Sequence, residues 1–297
     1  MELTLLYRGP LESCDYGCEY CPFSKHAASK QDLEADQAAL RLFVDWARKR
    51  PAQDRLRVFF IPWGEALIRP WYQEAFAELT RLPQVSKVVA QTNLSGPVEW
   101  LARADVTKAA LWATYHPDWA EQAQFLEKVG AVWRHGAKIS VGMVGFRRLR
   151  DEAAQMRRAL PPEVYLWINA VKNPWGPKRE HPAEQYTAED VAFFESIDPQ
   201  FRTNLVEHPS LGHSCRTGTS VVTVDGDGCV RRCPFVGERL GNLYEPGIEK
   251  ALVERPCPAQ TCGCHIGYVH LDSLGLAEVY GEGILERIPK RWPVRLD

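Results

Sequence analysis

Ser13-Cys14-Asp15-Tyr16-Gly17-Cys18-Glu19-Tyr20-Cys21-Pro22-Phe23 sets three cysteines at C-x3-C-x2-C spacing within eight residues. Three thiolates so close together suit three irons of a [4Fe–4S] cube and leave the fourth iron without a protein ligand. An open iron is a place for chemistry, whereas a fourth cysteine would make the cluster mainly an electron carrier. Tyr20, directly before the third cysteine, adds an aromatic face beside it. Two other readings use the same thiols. A zinc site would add a fourth ligand such as His26. A disulfide framework suits short secreted chains, and this chain has 297 residues and opens MELTLLYRGP, which is not a signal peptide.

Bulk composition narrows the class. With 25% charged and 45% hydrophobic residues, the chain reads as a globular protein large enough for one α/β domain with a smaller appendage. A formal net charge of −2 gives no reason to expect a nucleic acid partner, and no apolar run is long enough to span a membrane. Nine cysteines in a chain without a visible leader point to metal or redox work in a reducing cytoplasm. Three precede residue 22 and six fall between 215 and 264, so a cysteine-free middle separates two sites.

That middle alternates strands and helices. Apolar runs predict strands at 3–7, 57–61, 87–91, 109–114, 138–144 and 164–171. Helical periodicity falls at 33–49, where Leu40, Phe43 and Ala47 share a face with Trp46 alongside, and at 71–82, 97–104 and 150–160. A further helix runs from an Asp118 N-cap to His135, closed by Gly136, and the Pro-rich stretch 173–177 reads as a loop near a boundary. Nearly continuous apolar strands are buried on both faces, so six of them alternating with helices imply a parallel sheet curved into a partial (β/α)6 TIM-like barrel. The loops after the strand ends then form the active face, and the cysteine loop follows the first strand.

The C-x3-C-x-aromatic-C pattern resembles the signature of the radical S-adenosylmethionine (radical SAM) superfamily. After the second strand, Pro62-Trp63-Gly64-Glu65-Ala66 resembles the Gly-Gly-Glu-Pro turn of that family; Gly64 and Glu65 match, while Trp63 and Ala66 depart from it. The resemblance implies that Glu65 receives the α-ammonium of S-adenosylmethionine (AdoMet), with Gly64 letting backbone approach it. An ordinary strand-to-helix turn, with Glu65 capping the next helix, is the plainer reading. Softer signals follow at other strand ends. Thr92-Asn93 resembles the Thr-Asn near the cofactor. Thr114, Tyr115 and His116 offer polar groups at the mouth, Tyr115 and His116 being the catalytic candidates. Gly142 and Gly145 would admit the adenosyl group or mark a bulge.

Six cysteines occupy the last third. Cys215 precedes a strand at 219–224, a tight Asp225-Gly226-Asp227-Gly228 turn, a strand returning to Cys233 and a short helix beyond Asn242-Leu243-Tyr244. This resembles the opening of a SPASM or twitch domain, which implies an auxiliary [4Fe–4S] cluster. The tail, with Cys257, Cys262 and Cys264, departs from the full SPASM pattern, so one auxiliary cluster is expected, on Cys215, Cys233, Cys257 and either Cys262 or Cys264. Cys229 is a bystander or a reactive thiol near the substrate, and zinc is the rival. Ile266–Leu271 reads as a strand with Tyr268 and His270 on one face. The chain therefore divides into a core at 1–185 and a cysteine-rich domain at 186–297.

The resemblance implies reductive cleavage of AdoMet to a 5′-deoxyadenosyl radical that abstracts hydrogen from a substrate C–H bond. The expected task is oxidative modification of a peptide or protein side chain. The alternatives are a small-metabolite enzyme and a non-catalytic zinc module. A one-electron donor such as a flavodoxin or ferredoxin is the implied partner.

Overall fold

The computed structural model describes residues 1–21, 23, 27–172 and 185–293; the expected loop at 173–177 and His26 lie outside them. Six strands run in chain order: β1 (Glu2–Tyr7), β2 (Arg55–Phe60), β3 (Val85–Thr92), β4 (Ala109–Thr114), β5 (Lys138–Val144) and β6 (Leu166–Asn169). Each pairs in parallel with the next, as a partial TIM-like barrel requires. Their outward side chains meet helices α1 (Lys30–Arg48), α2 (Pro70–Arg81), α3 (Gln122–His135) and α4 (Arg150–Ala159). Leu40, Phe43 and Ala47 of α1 are all but fully buried there, on the face expected of them. The helix begins at a Ser29/Asp32 capping box, and this places its start three residues before the first periodic apolar position. Inward side chains form a second core of Leu6, Phe59, Val89, Trp112, Tyr165 and Trp167.

Beyond β6 come α5 (Ala188–Ile197) and α6 (Phe201–Leu205), then β7 (His208–Pro209), β8 (Val221–Val224), β9 (Cys229–Cys233), β10 (Val236–Asn242) and β11 (Thr261–Cys262). The cysteine-bearing hairpin joins the main sheet: β8 pairs in parallel with β1, and the order is β10-β9-β8-β1-β2-β3-β4-β5-β6. Short helices α7 (His265–Tyr268) and α8 (Leu276–Tyr280) follow.

Two local expectations are corrected. Helix α3 is capped by Glu121 and not by Asp118, because the backbone N–H groups of Trp119 and Ala120 both turn back to the His116 carbonyl at 2.9 and 3.0 Å. Asp118 instead pairs with Arg148. Residues 266–271 are not a strand: Tyr268 and Val269 donate to the carbonyls of Cys264 and His265, closing a helical turn. Among the described residues no helix is long and apolar enough to cross a membrane.

Candidate active site at the cysteine loop

The loop after β1 and the turn after β2 are sewn together by continuing the parallel ladder past the strand ends. Ile61 N–H donates to Tyr7, Trp63 to Leu11 and Glu65 to Ser13, each at 3.0 Å. Gly64 makes this possible. A Cβ there would stand 2.0 Å from the Ser13 carbonyl oxygen, so the glycine serves the contact with the residue before Cys14. Trp63 lies beside it, with the Arg8 guanidinium 4.0 Å above its ring and Phe23 at 4.4 Å.

Glu65 is 3% exposed, and burial pushes its carboxyl up to about 7. Its Oε1 accepts from Leu67 N–H and the Thr92 hydroxyl, both at 2.8 Å, and Oε2 accepts from Asn93 N–H at 2.6 Å. Three donors fill three of about four lone-pair sites and leave one on Oε2. Asn93 is the bridge to the cysteines: its side-chain amide donates to Asp15 at 2.9 Å and points at Cys14 Sγ from 3.7 Å. Tyr16 N–H also donates to Cys14 Sγ, at 3.4 Å.

Cys18 is buried, and its Sγ lies 3.6 Å from His116 Nδ1. The same nitrogen is 2.6 Å from the Tyr20 hydroxyl, and the two rings stack at 5.9 Å. Burial pulls His116 down to about 4, so it stands as neutral imidazole. Burial likewise pushes Cys14 up to about 12 and Cys18 up to about 11. Without a cation these sites disfavour thiolate; three soft sulfur donors with N–H groups aimed at one of them fit an iron–sulfur cluster.

The structure thus brings together Cys14, Cys18, Tyr20, Gly64, Glu65, Asn93 and His116, with Cys21 N–H tied to Cys18 O at 3.0 Å. Thr114 ends β4 level with Gly142. Tyr115 does not join them: its ring packs on Phe125 of α3 at 5.1 Å, in the outer core. The space beside Gly142 is taken by the Trp167 indole, which a Cβ would meet at 2.0 Å, so this glycine admits a neighbouring side chain. Arg8 and Trp63 were missed at the sequence level; a charged residue just past a barrel strand was the available signal.

The C-terminal cysteines form a second group. Cys215 bridges to Leu271, and Cys257 N–H donates to His213 O at 2.9 Å. Strand β11 sets Cys262 opposite His208. Cys262 feels the other thiols of this group, Cys264 most and then Cys233, Cys215 and Cys257. Burial, reinforced by those neighbours, pushes Cys262 up to about 12 and Cys233 up to about 11. Gly267 leaves room for the Cys262 sulfur, 2.7 Å from where its Cβ would be. Cys264 instead packs with the barrel-interior residues. Buried Arg232, also missed, clasps the carbonyls of Arg255 and Pro256 just before Cys257. Among the described residues no three cysteine sulfurs lie within 4.8 Å of one another. A tetrahedral zinc would draw its sulfurs to about 3.8 Å.

No protein-family model matches the chain, and no curated protein does. Solved structures share its fold. The chain is 15% identical to anSMEcpe with bound AdoMet, with a TM-score of 0.52 over 84% of this chain and 82% of that one. The same protein with bound AdoMet and Cp18Cys peptide matches at 15% identity and a TM-score of 0.52, over 85% and 83%. SuiB of Streptococcus suis bound to S-adenosylmethionine matches at 12% and 0.55, over 85% of this chain and 66% of that one. The chain therefore shares its fold with these AdoMet-binding proteins.

Proposed function

We propose that the chain is a radical SAM enzyme that modifies a peptide or protein side chain by oxidation. The observation that carries this reading is Asn93, which bonds the Glu65 carboxylate through its backbone and reaches Cys14 through its side chain. It makes the three-cysteine corner and the turn carboxylate one site. Bound at Cys14, Cys18 and Cys21, a [4Fe–4S] cluster with AdoMet would supply reductive C–S cleavage and a 5′-deoxyadenosyl radical for hydrogen abstraction. The protein's own share is positioning. Glu65 offers its remaining lone pair to an α-ammonium, and the donors around it hold the carboxylate in place. Tyr20 and neutral His116 cover Cys18 on one side of the cysteine loop.

The last third, 186–297, is read as a SPASM- or twitch-like domain beside a core at 1–185. Its auxiliary cluster is held by Cys215, Cys233, Cys257 and Cys262. Zinc on the same thiols is the rival, and Cys264 is left out because it packs with the barrel-interior residues. Peptide substrates are favoured by the likeness to anSMEcpe, which is solved with a bound peptide. A flavodoxin or ferredoxin would supply the electron.

Anaerobic reconstitution followed by dithionite reduction tests the reading. Release of 5′-deoxyadenosine is expected. Its absence from protein loaded with zinc would assign a metal-binding module. Turnover of a small metabolite, with no peptide altered, would reassign the substrate.

A further inference from the structure

The barrel interior holds a cation that nothing in the proposed chemistry uses. Arg287 rises into it from the C-terminal segment, 1% exposed, on a left-handed backbone at φ 56. A side chain strains that conformation, which persists where the surroundings over-determine it and is found often at ligand clamps. The guanidinium lies over Trp167 at 4.5 Å and near Trp112 at 5.6 Å. None of its three nitrogens makes a well-formed hydrogen bond. The Tyr280 hydroxyl stands in a loose hydrogen-bonding contact with it that leaves the fork unfilled. Asp198 stands 4.0 Å away, and its carboxylate already accepts from Tyr165, Ile168 and Gln200.

Other donors nearby are also unmet. His265, 5% exposed, sets its ring edge-on to the same Trp112 at 5.4 Å and leaves Nε2 without a partner. Arg8, 7% exposed past the end of β1, donates Nη1 to the Ile61 carbonyl at 2.9 Å and leaves Nε idle. The remaining interior acid, Glu286, is neutralised by Lys87 at 2.7 Å. Tyr268, Tyr280, Asp198 and Tyr165 supply negative field around Arg287, and Glu286 keeps one oxygen without a partner. None of these fills the guanidinium fork, and a buried cation with idle donors is costly unless a partner arrives.

We infer that the barrel interior binds a carboxylate of the substrate, gripped by the Arg287 fork with His265 Nε2 beside it on the Trp112 platform. A guanidinium lying flat on an indole presents a planar edge that matches a planar two-oxygen anion. Arg8 adds positive field on the β1 side. The assignment rests on the barrel being the substrate chamber of the proposed enzyme. The carboxylate belongs to a peptide or to a small acid.

The test uses the reconstituted full-length protein with AdoMet, melted in sodium succinate against sodium chloride and sodium phosphate at matched ionic strength. N-acetyl-Gly-Glu-Gly-amide is run against its Gln counterpart to separate peptide from small acid. Saturable stabilisation by succinate or the Glu peptide, beyond both salts, is expected. Arg287→Lys keeps the charge and loses the fork, so apparent affinity should fall about ten-fold or more; Arg287→Gln should not respond. If Arg287→Gln fails to fold, Arg287→Lys and His265→Gln carry the test. Succinate and the Glu peptide both acting no better than chloride, phosphate matching them, or variants responding like the wild type would overturn the inference. Cleavage of AdoMet by the wild type is measured separately. Cleavage without a carboxylate response sinks this inference alone. An Arg287-dependent response without cleavage sinks the radical reading and leaves the binding site standing.

Discussion

Gly64→Ala is the sharpest perturbation available, because the added methyl meets backbone and has nowhere to go. Its Cβ would fall 2.0 Å from the Ser13 oxygen, 2.5 Å from the carbonyl carbon and 2.8 Å from the nitrogen. Ordinary carbon–oxygen contact needs about 3.4 Å, so the two segments must part by more than about 1 Å. That parting breaks the hydrogen bonds from Glu65 to Ser13 and from Trp63 to Leu11. Overpacking costs about 1–3 kcal/mol and each lost bond about 1 kcal/mol, a total of about 3–5 kcal/mol. For a chain of this size the melting temperature should drop by about 5–15 °C. Displacing Ser13 also displaces Cys14, so iron bound after reconstitution should fall by about four atoms per chain. Gly237→Ala, where no atom lies within 4 Å of the new methyl, is the control and should be silent. A Gly64→Ala protein that melts with the wild type and binds its full iron would refute the idea that this glycine locks the cysteine loop to the Glu65 turn.

Further outcomes follow from other contacts. Cys18→Ala should abolish 5′-deoxyadenosine formation; turnover in a variant lacking that cluster would remove the catalytic model. Cys215→Ala should lower iron by about one cluster's worth, whereas Cys264→Ala should not; equal losses in iron analysis would put Cys264 among the ligands. Glu65→Gln sets an amide N–H2 against donors from Leu67, Thr92 or Asn93 and should destabilise by about 1–3 kcal/mol in urea melts, besides weakening AdoMet binding; an unchanged midpoint would count against the three-donor cage. His270 is 3% exposed, and burial pulls it down to about 4 from an ordinary 6.5. Its folded-state value is depressed, so its contribution is complete above pH 6.5 and fades as pH falls toward 4, by up to about 3 kcal/mol. His270→Phe should flatten the acid limb of the stability profile measured by thermal melts; a parallel limb in the variant would assign the loss elsewhere.

Much of the barrel was legible because its strands are runs of apolar residues bounded by turn formers. Strand β4 starts and stops where the run Ala109–Thr114 does, and the left-handed Gly136 at φ 86 closes α3 as its position past the last apolar residue suggests. Helix α5 went unread although Thr187 and Asp190 form a capping box visible at four-residue range. The local signal of Asp118 misled because a turn intervenes before α3. The cysteine triplet and Glu65 announced themselves by spacing. Their connection through Asn93, the outward turn of Tyr115 and the filling of the space beside Gly142 by Trp167 depend on contacts between distant segments. Arg287 left no trace in any periodicity, since its meaning comes from what surrounds it and not from its neighbours in the chain.

The pairing of β8 with β1 makes the barrel's first strand an internal strand, hydrogen-bonded on both sides. A fragment ending before residue 185 would bare the β1 edge as an unsatisfied template for a foreign strand, inviting self-association. Descendants of such a chain could therefore shed or rebuild the cysteine-bearing tail only by inventing another cover for that edge. Evolution of the two cysteine-bearing ends is mechanically tethered through a single shared strand.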